Sequence, residues 1–313
     1  MWPYPADLEQ RYRRFGEVEV GEDSPLLAAW AVEIASTPAL LALVAELPAD
    51  RRQPNLVLAA ARYLSPDRAS FAEMVDGRWP EVRAVVLTHR TQTNEVGRCA
   101  VLLPLLAALS QPLALVEVGA SAGLCLYPDR YSYRYDGGPP LHPADGPSPV
   151  ELRCTTRGPV PFPSQLPEVV WRAGIDLDPV DVRGRAAVDW LRALVWPGQD
   201  ERVRRLEGAI RIARNDPAYL VGGDLNDRLT EVVAQAPAGA TVVVFHSAVL
   251  AYLSVPERDR FVATVRGLPV TWVANEAPAV LGFDEGPARL FAVAVDGRQV
   301  GWAGGHGQTL AWL

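Results

Sequence analysis

Lysine is missing from this chain: all 30 basic residues among its 313 are arginine. That excludes a Schiff-base lysine and the lysine of a phosphate-cradling P-loop. Beside so much alanine, proline and glycine, the arginine reads as compositional bias, not as a phosphate-binding design. Cysteine is scarce too. Cys99, Cys125 and Cys154 are odd in number and show no C-x-x-C spacing, which fits a reducing compartment and neither a disulfide scaffold nor a zinc ribbon. The four histidines, His89, His142, His246 and His306, form no H-x-x-x-H or H-E-x-x-H pair, so no metal site is expected. No apolar run reaches membrane-spanning length, and the opening M-W-P-Y-P-A-D-L-E-Q lacks the apolar core of a signal peptide. A net charge of −7 favours neither nucleic acid nor an anionic membrane. The expectation is a cytoplasmic protein with a small-molecule substrate and no nucleic-acid or membrane partner. A protein partner or a homodimer stays open.

What is present is a large apolar fraction, 49% of the residues, arranged in two regimes. Residues 1–112 read as a helical N-terminal cap. Ser24-Pro25 and Thr37-Pro38 are helix starts, a capping residue followed by proline in the first turn. Apolar periodicity continues through Asn55–Leu64, Phe71–Thr88 and Cys99–Leu109. Residues 113–313 alternate strands with helices, which implies a mostly parallel sheet. Strands are expected at Leu113–Val118, Val169–Asp176, Tyr219–Asp224, Thr241–Phe245 and Val270–Asn275. Helices are expected at Leu124–Arg130, Val180–Val195, Asp200–Arg214, Leu225–Ala234, Ala248–Leu253 and Pro256–Arg266. Asp296-Gly297 marks an antiparallel C-terminal hairpin. The proline-rich stretch 131–168 reads as an insertion decorating one sheet edge, with a turn at Asp136-Gly137-Gly138.

Ligands of open α/β sheets bind outside the carboxyl ends of the strands. Here those ends carry Glu117, Asp176, Asp224, His246 and Glu276. The small-residue turn Gly119-Ala120-Ser121-Ala122-Gly123 follows the first strand, and an expected helix start would add a positive dipole end there. A carboxylate past the second strand can accept both hydroxyls of a ribose, and one past the third can take an adenine amino group. The pattern is one of nucleoside binding. It is not the G-x-G-x-x-G of NAD enzymes, because Ser121 and Leu124 stand where glycines would be needed.

V-E-V-G-A-S-A-G (Val116–Gly123), G-I-D-L-D-P (Gly174–Pro179) and G-G-D-L (Gly222–Leu225) resemble the first three motifs of class I S-adenosylmethionine-dependent methyltransferases. The whole chain, with R-T-Q-T-N-E (Arg90–Glu95), F-H-S-A-V-L-A-Y-L (Phe245–Leu253) and the terminal H-G-Q-T-L-A-W-L, also resembles a bacterial domain-of-unknown-function family placed by fold among the methyltransferases. The resemblance implies a Rossmann-like sheet of seven strands with an antiparallel last strand. It implies S-adenosylmethionine as cofactor, held by Glu117, Gly119, Ala120, Ser121, Gly123, Asp176, Leu177, Asp224 and Leu225. His246, directly after the fourth strand, and Glu95 are the candidate acid–base groups, since methyl transfer often needs a base beside an aligned nucleophile. Gln92, Asn94, Arg98, Tyr252 and Glu276 are the candidate substrate contacts.

Two other readings come from different classes. The fold could bind a nucleoside or serve as a partner subunit without transferring methyl groups, because fold does not fix function. Gly119–Gly123 also spells the G-x-S-x-G nucleophile elbow of α/β-hydrolases, which Asp284 and His306 could complete around Ser121. Against that reading, the upstream residues look helical where a hydrolase needs strands.

Overall fold

The computed structural model describes residues 7–65, 69–92, 94–136, 138–284, 286–287 and 289–313. Thr93 of the R-T-Q-T-N-E segment and Gly137 of the expected turn lie outside them, as do the first six residues. The chain forms two compact units, Met1–Thr93 with Arg183–Val203, and Asn94–Val182 with Arg204–Leu313. Helical structure continues to Ala107, ahead of the first strand at Leu113, but the first unit stops at Thr93 and takes in a later segment.

The first unit is helical: α1 (Leu8–Arg14), α2 (Pro25–Ser36), α3 (Pro38–Ala45), α4 (Pro54–Leu64), α5 (Phe71–Val75), α6 (Trp79–Thr88) and, from further on, α8 (Arg185–Leu194). Proline opens α2, α3 and α4, where its missing N–H costs nothing. The expected helix over Phe71–Thr88 is broken in two at Gly77, whose φ of +66° no helical residue adopts. The expected start of α8 at Val180 moves to Arg185. Tyr12, Trp30, Ile34, Phe71 and Trp190 are buried in one core, with Trp30 edge-on to Phe71 at 6.0 Å.

The second unit is built on strands β1 (Leu113–Val118), β2 (Ser132–Tyr135), β3 (Glu151–Arg157), β4 (Val169–Asp176), β5 (Tyr219–Gly222), β6 (Thr241–Ser247), β7 (Thr271–Glu276), β8 (Leu290–Val295), β9 (Arg298–Gly304) and β10 (Thr309–Trp312). They form one sheet in the order β2-β3-β10-β9-β8-β7-β6-β1-β4-β5. Six of the nine pairings among the described residues are parallel, so the fold is α/β with a mostly parallel, mixed sheet. The sheet has ten strands instead of the expected seven. The closing hairpin turns at Asp296 and Gly297, both at positive φ. It places β8 antiparallel to β7, and β9 then pairs with β10. The edge of β10 is in turn paired by β3 and β2, the two strands of the 131–168 insertion. Each added strand satisfies backbone groups that the previous edge would leave open.

The helices of this unit are α7 (Cys99–Ala107), most of α9 (Asp200–Asn215), α10 (Leu225–Val233) and α11 (Val255–Arg266). Leu225, Leu229 and Val232 of α10 and Phe261 and Val265 of α11 share a core with Val116, Val118, Ala173, Ile175, Val244, Trp272 and Ala274. Strand side chains alternate between faces, so Glu117 and Asn275 point to the face opposite that core, while His246 and Glu276 point into it. The chain runs outward from β1 to β4 and β5, then returns to β6 on the other side of β1. That reversal makes the carboxyl ends of β1 and β6 a topological switch point, the place where open α/β sheets take ligands.

Candidate functional site

The turn after β1 is a tightly tied frame. Gly119 and Gly123 sit at φ +72° and +66°, and Ser121 at +50°, so three of its five residues are left-handed. Asp176, at the end of β4, accepts the backbone N–H of Ser121 on one oxygen at 2.7 Å and that of Asp178 on the other at 2.9 Å. Asn94 grips the turn from the other side. Its amide nitrogen donates to Ser121 Oγ at 2.9 Å, and its oxygen accepts from the Ala122 N–H at 3.0 Å. A Cβ added at Gly119 would collide with the Val249 side chain, so close packing with the segment after β6 is one reason glycine stands there. The expected helix over Leu124–Arg130 is replaced by two 3-10 turns, Leu124–Leu126 and Pro128–Arg130. The left-handed Gly123 and the N–H-less Pro128 interrupt it, so no long helix dipole points at the turn.

Beneath this frame lies Glu117, 8% exposed, whose Oε2 has no hydrogen-bond partner among the described residues. Burial, ahead of the neighbouring Cys125 thiol, pushes its carboxyl well above the usual carboxylate range, and nearby Arg98 pulls the other way. Arg98 is itself 8% exposed and firmly anchored. Its Nε donates to the Gly305 carbonyl at 3.1 Å and its Nη1 to the Ser247 carbonyl at 2.9 Å. A buried carboxyl with an unpaired oxygen thus lies within electrostatic reach of a fixed guanidinium that bonds backbone carbonyls instead of pairing with it. Further out, Leu177 is 66% exposed directly after Asp176, an apolar platform at the strand end. Asp224 caps α10 by accepting from the Asn226 N–H at 2.8 Å. Leu225 is buried in the α10 core.

The carboxyl end of β6 and β7 is organised differently. His246 is fully buried. Trp272 Nε1 is 2.9 Å from His246 Nε2, and because an indole N–H only donates, Nε2 must accept. The ring proton is then on Nδ1, which donates to Glu276 Oε1 at 2.7 Å. Both ring nitrogens are engaged, so the expected base at His246 has no lone pair to offer a substrate. It holds Glu276 instead. The same Oε1 accepts the backbone N–H groups of Val249 at 2.8 Å and Leu250 at 3.1 Å, which tie the segment after β6 to β7. Glu276 Oε2 is buried and has no partner among the described residues. The helix expected over Ala248–Leu253 is only a 3-10 turn, Leu250–Tyr252, preceded by Ala248 at φ +57°.

Glu95, the other expected acid–base group, is 3% exposed. Its Oε1 takes the Gly97 N–H at 3.0 Å and lies 3.5 Å from Arg205 Nη2, and its Oε2 lies 3.7 Å from His306 Nδ1. It is a structural hub, not an open base. These contacts also take apart the hydrolase reading, since His306 faces Glu95 and the Ser121 hydroxyl faces Asn94. Tyr252 is 67% exposed as a residue, while burial around its hydroxyl, ahead of any charge, raises that group above the ordinary tyrosine range. Arg98 bonds the Ser247 carbonyl at the end of β6, and Glu276 ties the segment that follows at Val249 and Leu250, just before Tyr252. Asn94 belongs to the frame, and Gln92 lies in the helical unit.

The sequence passed over three residues that matter here. Trp272 looked like any core tryptophan, and its role depends on a histidine 26 residues away. Val249 gave no sign that it packs against Gly119. Asn275 is fully buried and donates to Ser247 Oγ at 2.8 Å, with its Oδ1 unpartnered among the described residues. Two polar residues closing an apolar strand, Asn275-Glu276, were the available signal.

The chain belongs to the DUF2332 family. That family, described as an uncharacterized protein conserved in bacteria, matches residues 9–312, nearly the whole chain. No curated protein and no solved structure matches it. Among the described residues no cluster of three or more His, Cys, Asp or Glu is placed to hold a metal ion. No single helix there is long and apolar enough to cross a membrane, although the bent pair Pro25–Ser36 and Pro38–Ala45 passes jointly by length and composition.

Proposed function

We propose that the switch point at the ends of β1 and β6 binds S-adenosylmethionine and that the protein transfers its methyl group to a small molecule, on a Rossmann-like sheet of the class I methyltransferase kind. One observation carries this reading: the unpartnered, buried Glu117 Oε2, with the anchored Arg98 within electrostatic reach. A carboxylate and a guanidinium within electrostatic reach of each other, and not paired together, complement the ammonium and carboxylate of an α-amino acid, the methionine end of that cofactor. A buried polar group without a partner calls for an explanation, and a ligand ammonium supplies one. The exposed Leu177 offers a flat apolar contact for a base, and Asp176 keeps lone pairs for ribose hydroxyls.

When bound, the cofactor would supply an electrophilic methyl on a positively charged sulfur. The residues of the chain do the rest. Glu117 and Arg98 would fix one end of the ligand, and Asp176 and Asn94 hold the turn in place. Neither His246 nor Glu95 moves a proton, so rate rests on alignment. That same engagement of both groups favours a second reading, a protein that binds the nucleoside without transferring methyl.

Calorimetric titration with S-adenosylmethionine and S-adenosylhomocysteine tests the proposal. Saturable binding is expected, weakened at least 100-fold in Glu117→Gln. Failure of both compounds to bind overturns it. Binding without methylated product from any acceptor in a broad extract would leave the second reading in place.

A further inference from the structure

Glu276 is the most conspicuous polar group that the cofactor reading leaves unused. Its side chain is fully buried, yet only one of its two oxygens is bonded. Three donors converge on Oε1: the His246 ring and the backbone N–H groups of Val249 and Leu250. Because Trp272 fixes His246 as the neutral ring, none of the three is a cation. A buried carboxylate with no cationic partner is costly, and an unpaired oxygen adds to the cost. The network nevertheless fixes the carboxyl rigidly, with Oε2 left for something else. Tyr252, exposed, ends the 3-10 turn whose Leu250 N–H bonds Glu276 Oε1, and Arg98 holds the Ser247 carbonyl of the same segment. An exposed aromatic ring near a carboxylate is chemistry suited to a positively charged nitrogen.

We propose that Glu276 Oε2, with Tyr252 at the mouth, is the docking point for an ammonium group of the acceptor, so that the second substrate is an amine. This rests on the cofactor reading only for the word acceptor; the ammonium subsite stands on the Glu276 network alone. His246 and Trp272 are positioning residues, and Glu276 is the group that meets the ligand. The Ser247–Leu253 segment, tied to Oε1, lies over the carboxyl and must yield for the amine to enter.

The probes are n-butylammonium, n-butanol and butyrate, titrated into the protein with and without saturating S-adenosylhomocysteine and followed by calorimetry. The ammonium is expected to bind at least about tenfold more tightly than either isostere, and Glu276→Gln is expected to remove that preference while its thermal unfolding stays cooperative. Equal binding of the three probes to the wild-type protein, or a preference that survives in Glu276→Gln, overturns the inference. Should Glu276→Gln not fold, Tyr252→Ala serves, since its side chain is exposed: a several-fold loss for the ammonium alone is expected, and an unchanged preference counts against the subsite. Failure of S-adenosylhomocysteine to bind strikes the cofactor reading and leaves the ammonium result to be judged by itself.

Discussion

The two corners of the sheet, at β1 and β4 on one side and β6 and β7 on the other, distribute hydrogen bonds in opposite ways. At the first, the turn satisfies itself: Asp176 and Asn94 between them bond Ser121, Ala122 and Asp178, and the glutamate beneath is left out. At the second, the glutamate is the hub, and histidine and backbone both depend on it. Glu117 is thus a removable group in a frame that does not need it, whereas Glu276 is half frame and half site. Residue type alone pointed the other way, toward His246 as the working group. A histidine becomes a poor base once both nitrogens have fixed partners.

The sharpest way to break this contrast is Glu276→Ala. It strips the acceptor from the buried His246 Nδ1–H and from two backbone N–H groups, and each orphaned donor costs about 1–3 kcal/mol. We expect a loss of roughly 3 kcal/mol or more in urea unfolding. A loss under about 1 kcal/mol would mean that the hub is not structural. Gly119→Ala comes next. The new Cβ meets Val249, and the residue must hold a φ of +72°, so a cost of about 1–3 kcal/mol is expected. Pairing it with Val249→Ala should recover the steric part and leave the backbone part, a coupling that a double-mutant cycle reads directly. Simple additivity would show that the two corners do not touch through these side chains.

Much of the frame was legible in the sequence because it is local. An apolar run closed by an acid located Glu117 and Asp176, and Asp-Gly located the hairpin, each within a few residues. The rest depends on distant partners. Thr309 pairs with Thr155 across half the chain, so the sheet has ten strands where the resemblance implied seven. Asn94 reaches a turn 27 residues away, and His246 takes both of its partners from β7. The helices expected after β1 and β6 failed on backbone grounds, at Gly123 and at Ala248, where positive φ ends helical geometry. Propensity could find the strand ends. It could not say which polar atoms there would be left without a partner.

That distinction makes Glu117→Gln the most discriminating of the smaller changes. Burial raises the folded-state carboxyl of Glu117 well above its ordinary value, so the folded protein keeps that proton where the unfolded chain has lost it. The contribution of the protonated group to stability is complete below the unfolded pKa of about 4.3 and disappears as pH rises through the raised folded value. Glutamine imitates the protonated acid and cannot lose a proton. The variant should therefore match the wild type near pH 4 and become the more stable of the two as pH rises, by about 1.4 kcal/mol for each unit by which the folded pKa is raised. Thermal melts across pH 4–8 read this difference. Binding should move the opposite way, because a ligand ammonium needs the ionised carboxylate. The wild type should release a proton on taking S-adenosylhomocysteine, visible as a binding enthalpy that changes with the ionisation enthalpy of the buffer, and the glutamine variant should not. If Glu117→Gln is the less stable protein at neutral pH, the first corner needs its glutamate as the second does, and the contrast between them fails.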